Sequence, residues 1–100
     1  MTVAIESPGM RLFAFRGANS ARANEADEIL RATDELMREL MARNQLEPEA
    51  FVSCIFTLTE DLDAEFPALA ARRMGLDQVP LLCAREVPVP GSMPRVIRVL

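Results

Sequence analysis

One hundred residues, half of them apolar and 26% charged, make a single globular domain with room for one core. A net charge of −4 and a pI near 4.8 disfavour a nucleic-acid binder, and the five aromatics are all Phe, without Tyr or Trp stacking platforms. The chain has no His and no Lys, which excludes Ser–His and Cys–His dyads, Schiff-base chemistry and the commonest zinc ligand.

All eleven basic residues are Arg, so any bound anion is held by guanidinium forks or backbone amides. Residues 1–10 (MTVAIESPGM), broken by Pro8 and Gly9, read as a loose N-terminal extension. They carry neither a basic start nor a continuous apolar run, so they do not read as a signal peptide. No apolar run approaches the ~20 residues that span a bilayer. Cys54 and Cys83 are too far apart for a metal motif or a disulfide framework. The expectation is a reduced, soluble, cytoplasmic protein without metal or cofactor.

Residues 11–16 (RLFAFR) alternate and predict a strand ending at Gly17, followed by a helix over 25–43. Asn24 is placed to cap that helix, and Glu25, Asp27 and Glu28 suit its positive end. Ile29, Thr33, Leu36, Met37, Leu40 and Met41 form its apolar stripe, with the methionines as core filler. Residues 51–58 (FVSCIFTL) predict a second strand, covered on at least one face and nearly covered on both, with Cys54 on the wholly apolar one as a buried structural thiol.

A short helix follows over 67–74, begun by Pro67 and closed by Gly75. Residues 79–87 (VPLLCAREV) and 95–100 (RVIRVL) predict a third and a fourth strand, separated by Pro88, Pro90, Gly91 and Pro94. The order β-α-β-α-β-β implies an α+β domain, a mixed sheet with two helices on one face. Each βαβ unit favours a right-handed parallel crossover, and the last two strands are expected to pair antiparallel. Two helices leave the other sheet face uncovered, so a further subunit is expected there.

Three charges sit oddly for a solvated surface. Arg16 ends a strand at a Gly, Glu86 shares a face with Leu82 and Ala84, and Arg98 stands between Val96 and Leu100. Two arginines and one carboxylate on sheet termini suit a site that holds an anion without proton transfer. Arg85 reads as solvent-facing or an interface charge, not catalytic. Cys83 and Glu86 are three residues apart, so a regular strand points them to opposite faces. They serve one pocket only through a bulge, a backbone contact by Cys83, or a site shared between subunits.

Arg16-Gly17-Ala18, ADEIL at 26–30, DLDAEFPALAARR at 61–73, VPLLCAREV and RVIRVL together, in order, resemble the trimeric α/β chorismate mutases of the AroH class. The resemblance runs from Arg11 to Leu100. It implies a single domain over 11–100 that assembles as a trimeric pseudo-α/β-barrel, with sites at the subunit interfaces. It also implies an isomerase that rearranges chorismate to prephenate in the shikimate pathway toward Phe and Tyr.

Carried over by residue, the resemblance gives Arg16 a substrate carboxylate. Phe66, Ala68 and Leu69 become pocket wall, with Arg72 near the mouth. Cys83 and Glu86 face the ring hydroxyl beside Leu81 and Leu82, and Arg98 reaches the ether oxygen of the breaking bond. Arg98, Glu86 and Arg16 are the catalytic candidates. Leu69 stands where the family usually has Lys, and Leu81 and Leu82 are bulkier than its common pattern. The family pattern continues into a strand with a Tyr and a tail with a further Arg. This sequence has no Tyr and ends at Leu100, so either the chain is cut short there or the expected site lacks that wall. Two other readings share the features: a non-catalytic trimeric carboxylate-binding module of the same fold, and an imine deaminase of the RidA type.

Overall fold

The computed structural model describes residues 11–100, and the expected N-terminal extension over 1–10 lies outside the described residues. Strand β1 (Gly17–Ser20) leads to helix α1 (Ala26–Asn44), a 3-10 turn at Pro48–Ala50 and strand β2 (Cys54–Leu58). Helix α2 (Pro67–Arg73), strand β3 (Leu81–Arg85) and strand β4 (Val96–Val99) complete the chain. The four strands form one mixed sheet in the order β1-β4-β2-β3.

Helix α1 follows its expected stripe: Ile29, Ala32, Thr33, Leu36, Met37 and Leu40 are buried, while Met41 is only half-buried. Its outer face carries Arg31 between Glu28 and Glu35, then Asp34–Arg38 and Glu39–Arg43. In the last two pairs the acid lies four residues before the base, the favourable order along a helix. The Arg31 hydrogen bond, with the Arg22 N–H, holds the Glu28 carboxyl down at about 2. Gln45 in the left-handed region ends the helix, with the Leu46 N–H donating to Met41 O at 2.9 Å. Asn24 does not cap it. Glu25 takes that position without a side-chain bond, because the Asn24 amide is committed to the loop before α2.

Helix α2 begins as expected with Pro67 in its first turn, and Gly75 follows its end at φ +102°, where a side chain would be strained. Both helices pack on the face of the sheet that carries Cys54, Phe56, Ile97 and Val99. Phe56 and Ile97 are fully buried there. Cys54 is the expected structural thiol, and burial pushes its pKa up.

Three expectations need correction. The first strand is Gly17–Ser20, not 11–16. Gly17 pairs with Val99, the last residue of β4, so the alternating residues before it have no partner strand among the described residues. Leu12 and Phe13 are exposed. Gly17 also lets α1 approach closely, since a Cβ there would lie 2.9 Å from a Leu36 methyl.

The second correction concerns neighbours. β2 and β3 pair in parallel as expected, but β4 does not pair with β3. It inserts antiparallel between β1 and β2, so those two strands run parallel without touching. Val96, Ile97 and Val99 are buried, and only a central position covers so apolar a strand. The third concerns β2, which is covered on one face only. Ile55 is exposed and Thr57 half-buried on the other, and residues 51–53 lie outside the strand.

Candidate active site

Register places four residues in one row across the uncovered face: Ala18 opposite Arg98, Arg98 opposite Thr57, Thr57 opposite Ala84. Glu86 follows β3 directly. Its N–H donates to Leu58 O at 2.9 Å, which extends the parallel ladder by one bond. Its side chain returns over the row. Thr57 Oγ1 donates to Glu86 Oε2 at 2.7 Å, and the Arg98 Nη1 donates to Glu86 Oε1.

Burial pushes the Glu86 pKa up, but the Thr57 and Arg98 hydrogen bonds outweigh it and leave the carboxyl below its ordinary value. Glu86 is therefore ionised at neutral pH. Its side chain is 19% exposed, whereas that of Arg98 is 48% exposed. The guanidinium is thus anchored at one end and open to solvent at the other, a fixed cation ready for an anionic group. Arg16 is exposed and stands two residues before Ala18, the cross-strand partner of Arg98. Leu82, 59% exposed, lies opposite Ile55 on the same face.

A groove of about 400 Å³ runs beneath the loop after β3, lined by Glu86 with Thr59, Glu60, Asp61 and residues 87–94. Asp61 secures the return of that loop into β4 by accepting the Arg95 N–H at 3.0 Å. The Thr59 hydroxyl first, then the Arg95 N–H, holds the Asp61 carboxyl below its ordinary value.

The remaining candidates gather elsewhere. Phe66, immediately before α2, is 67% exposed and shares a groove of about 340 Å³ with Leu58, Leu62, Cys83 and Arg85. Leu81 and Cys83 are half-buried and pack toward the core on the helix side. Leu69 is half-buried and Arg72 exposed in the last turn of α2. Ala68 is buried in the core, so its methyl faces inward within this chain. Arg85 is exposed as expected, and its guanidinium donates to Glu60 O at 3.0 Å. Asn24 fixes this region by accepting the N–H groups of Asp63 and Ala64 at 3.0 and 3.1 Å.

The candidate residues thus divide into two groups, on opposite faces of β3. Arg98, Glu86 and Leu82 belong to the open face, with Arg16 beside it; Cys83, Leu81 and Phe66 belong to the helix side. Sequence reasoning missed Thr57 and Asp61, and gave Asn24 only the role of a helix cap. Only the first left a trace, as a hydroxyl on the less apolar face of β2.

A family model for type I chorismate mutases matches residues 12–100. The chain belongs to that family. The chorismate mutase AroH of Thermus thermophilus is 51% identical over 86 residues, 85% of this chain and 70% of the relative. The chorismate mutase AroH of Bacillus subtilis (strain 168) is 35% identical over 92 residues, 91% of this chain and 72% of the relative. A solved chorismate mutase from Clostridium thermocellum superposes with a TM-score of 0.86 at 48% identity. That match covers 88% of this chain and 79% of the other. The mixed sheet with two helices is the chorismate mutase fold. Among the described residues, no helix is long and apolar enough to cross a membrane.

Proposed function

We propose that this chain is a chorismate mutase, an isomerase that converts chorismate to prephenate within one active site and without a cofactor. The observation that carries the reading is the half-open Arg98 guanidinium, anchored by the ionised Glu86, in a chain of this family. The rearrangement is intramolecular. A C–C bond forms between the enolpyruvyl arm and the ring as the ether C–O bond breaks, with no proton, hydride or leaving group exchanged.

Two demands follow. The substrate must be held with its arm folded over the ring, which removes the entropy of extended conformers. Fixed positive charge must stand where negative charge grows on the ether oxygen. Arg98 meets the second demand, and Arg16 meets part of the first through a substrate carboxylate. Glu86 holds Arg98 and faces the ring hydroxyl. Phe66, Ala68, Leu69, Arg72, Leu81, Leu82 and Cys83 form walls and mouth, Ala68 through its backbone.

The division of these residues between two faces of β3 supports a pocket completed across a subunit boundary. One protomer supplies its open face and a neighbour its α2–β3 groove. The open face carries Ile55, Leu82 and Leu100, all exposed in one chain, which suits burial against further copies. The reading is a cytoplasmic homotrimer with its sites between subunits.

Incubation with chorismate, acid conversion of the prephenate formed to phenylpyruvate and measurement of its absorbance test the activity. A purified, folded protein that leaves chorismate untouched overturns the reading. Sedimentation equilibrium tests the assembly, and a folded monomer at micromolar concentration overturns the trimer.

A further inference from the structure

The anchored state of Arg98 depends on a residue that no charge pattern marks. The Glu86 carboxylate divides its oxygens: Oε1 accepts from Arg98, and Oε2 accepts from the Thr57 hydroxyl at 2.7 Å. A glutamate has three rotatable side-chain bonds, and a single ion pair at one oxygen leaves its carboxylate free to turn. The second donor, on a different strand, removes that freedom. Ala18 and Ala84, the other members of the cross-strand row, are too small to brace the guanidinium from the side.

Thr57 holds its own place firmly. It lies mid-row on β2, paired to β3 on one side and β4 on the other, and its Cβ branch restricts χ1. Other charged groups near Glu86 are engaged elsewhere or turned to solvent. Asp61, in the same groove, takes the Thr59 hydroxyl and the Arg95 N–H; Glu60 is exposed; Arg85, on β3 itself, bonds the Glu60 carbonyl. Among the described residues, only Thr57 and Arg98 hydrogen-bond the Glu86 carboxylate.

We propose that Thr57 is a positioning residue: its hydroxyl locks the Glu86 carboxylate so that Arg98 presents a guanidinium of fixed orientation to the reacting substrate. The proposal rests on the mutase reading. It predicts that catalysis depends on a neutral side chain that touches neither the breaking bond nor the forming one.

The test compares T57V, which keeps the branched shape without the hydroxyl, with T57S, which keeps the hydroxyl. For T57V, kcat falls about tenfold, the scale of one hydrogen bond to a charged group. KM changes by less than about twofold, because the interaction is realised in the transition state. T57S stays within about twofold of wild type in both constants. A second readout needs no substrate. The Glu86 carboxyl, followed by carbon NMR, titrates higher in T57V, since the ionised form has lost a donor, and stays put in T57S.

Should T57V fail to fold by circular dichroism, the same titration and kinetics in T57A decide the question. Wild-type turnover with T57V unchanged in kcat and in Glu86 titration overturns this proposal alone. Wild-type protein without turnover overturns the mutase reading and, with it, the catalytic role of Thr57.

Discussion

The two faces of the sheet share four strands and one hydrogen-bond ladder, yet they are built to opposite rules. The helix-covered face takes Cys54, Phe56, Ile97 and Val99 into a closed apolar core. The open face sets Thr57, Glu86 and Arg98 among Ile55, Leu82 and Leu100. Because side chains alternate along a strand, Phe56 and Thr57, adjacent in sequence, face opposite sides of the sheet. One face closes the core; the other carries the candidate site residues.

The comparison breaks most readily at Phe56, which is fully buried beneath the helices. Phe56→Ala is expected to lower the unfolding free energy by about 3–5 kcal/mol through lost transfer energy and a residual cavity. Urea unfolding measures it, and a loss below about 1 kcal/mol shows that the covered face is not the structural one.

On the open face the expected effect falls on rate. Arg98→Ala loses ~10²-fold or more in turnover, with smaller changes in KM, because a fixed cation acts on charge that develops in the transition state. Arg98→Lys loses nearly as much, since a point charge on a flexible stem replaces the planar fork. Stability is affected less in either variant, and Arg38→Ala, on the outer face of α1, serves as the control. A folded Arg98→Ala protein that keeps more than about a tenth of wild-type turnover assigns Arg98 to structure instead.

The smallest effect is on acid stability. Glu86 and Asp61 titrate below their ordinary values of 4.5 and 3.8 in the folded chain. The unfolded chain therefore takes up protons first as pH falls. Their stabilisation is complete at neutral pH, declines once pH passes below those ordinary values, and is gone below the folded ones. Glu28, held at about 2 by Arg31 and the Arg22 N–H, retains its share further into acid. Urea midpoints measured from about pH 7 to about pH 2.5 should fall less steeply in Glu86→Gln than in wild type. Equal slopes remove Glu86 from this account.

The helices were legible because their determinants are local. The stripe from Ile29 to Leu40 and the Pro67–Gly75 bracket each lie within one stretch of chain, and the observed ends differ from the expected ones by one residue. Face assignments were also legible: alternation alone separates Cys54 and Phe56 from Ile55 and Thr57, and Cys83 from Glu86. The candidate cation and carboxylate stood out as charges within apolar strands.

Strand neighbours were not legible. Alternation in 11–16 is as good as any strand signal, but a strand needs a partner, and β4 pairs on that side with Gly17–Ser20. The insertion of β4 between β1 and β2 depends on which apolar strand most needs cover on both sides, a comparison made only once all four are present. The same insertion brings the candidate site residues together. Thr57 reaches Glu86 across 29 residues of chain, and Arg98 reaches it across 12. Periodicity assigns each of these side chains to a face, whereas cross-strand hydrogen bonds set the register that brings their polar ends together. Local pattern thus determined the helices and which side chains share a sheet face. The contact between Thr57, Glu86 and Arg98 was decided by the tertiary structure, because only the assembled sheet places three strands side by side.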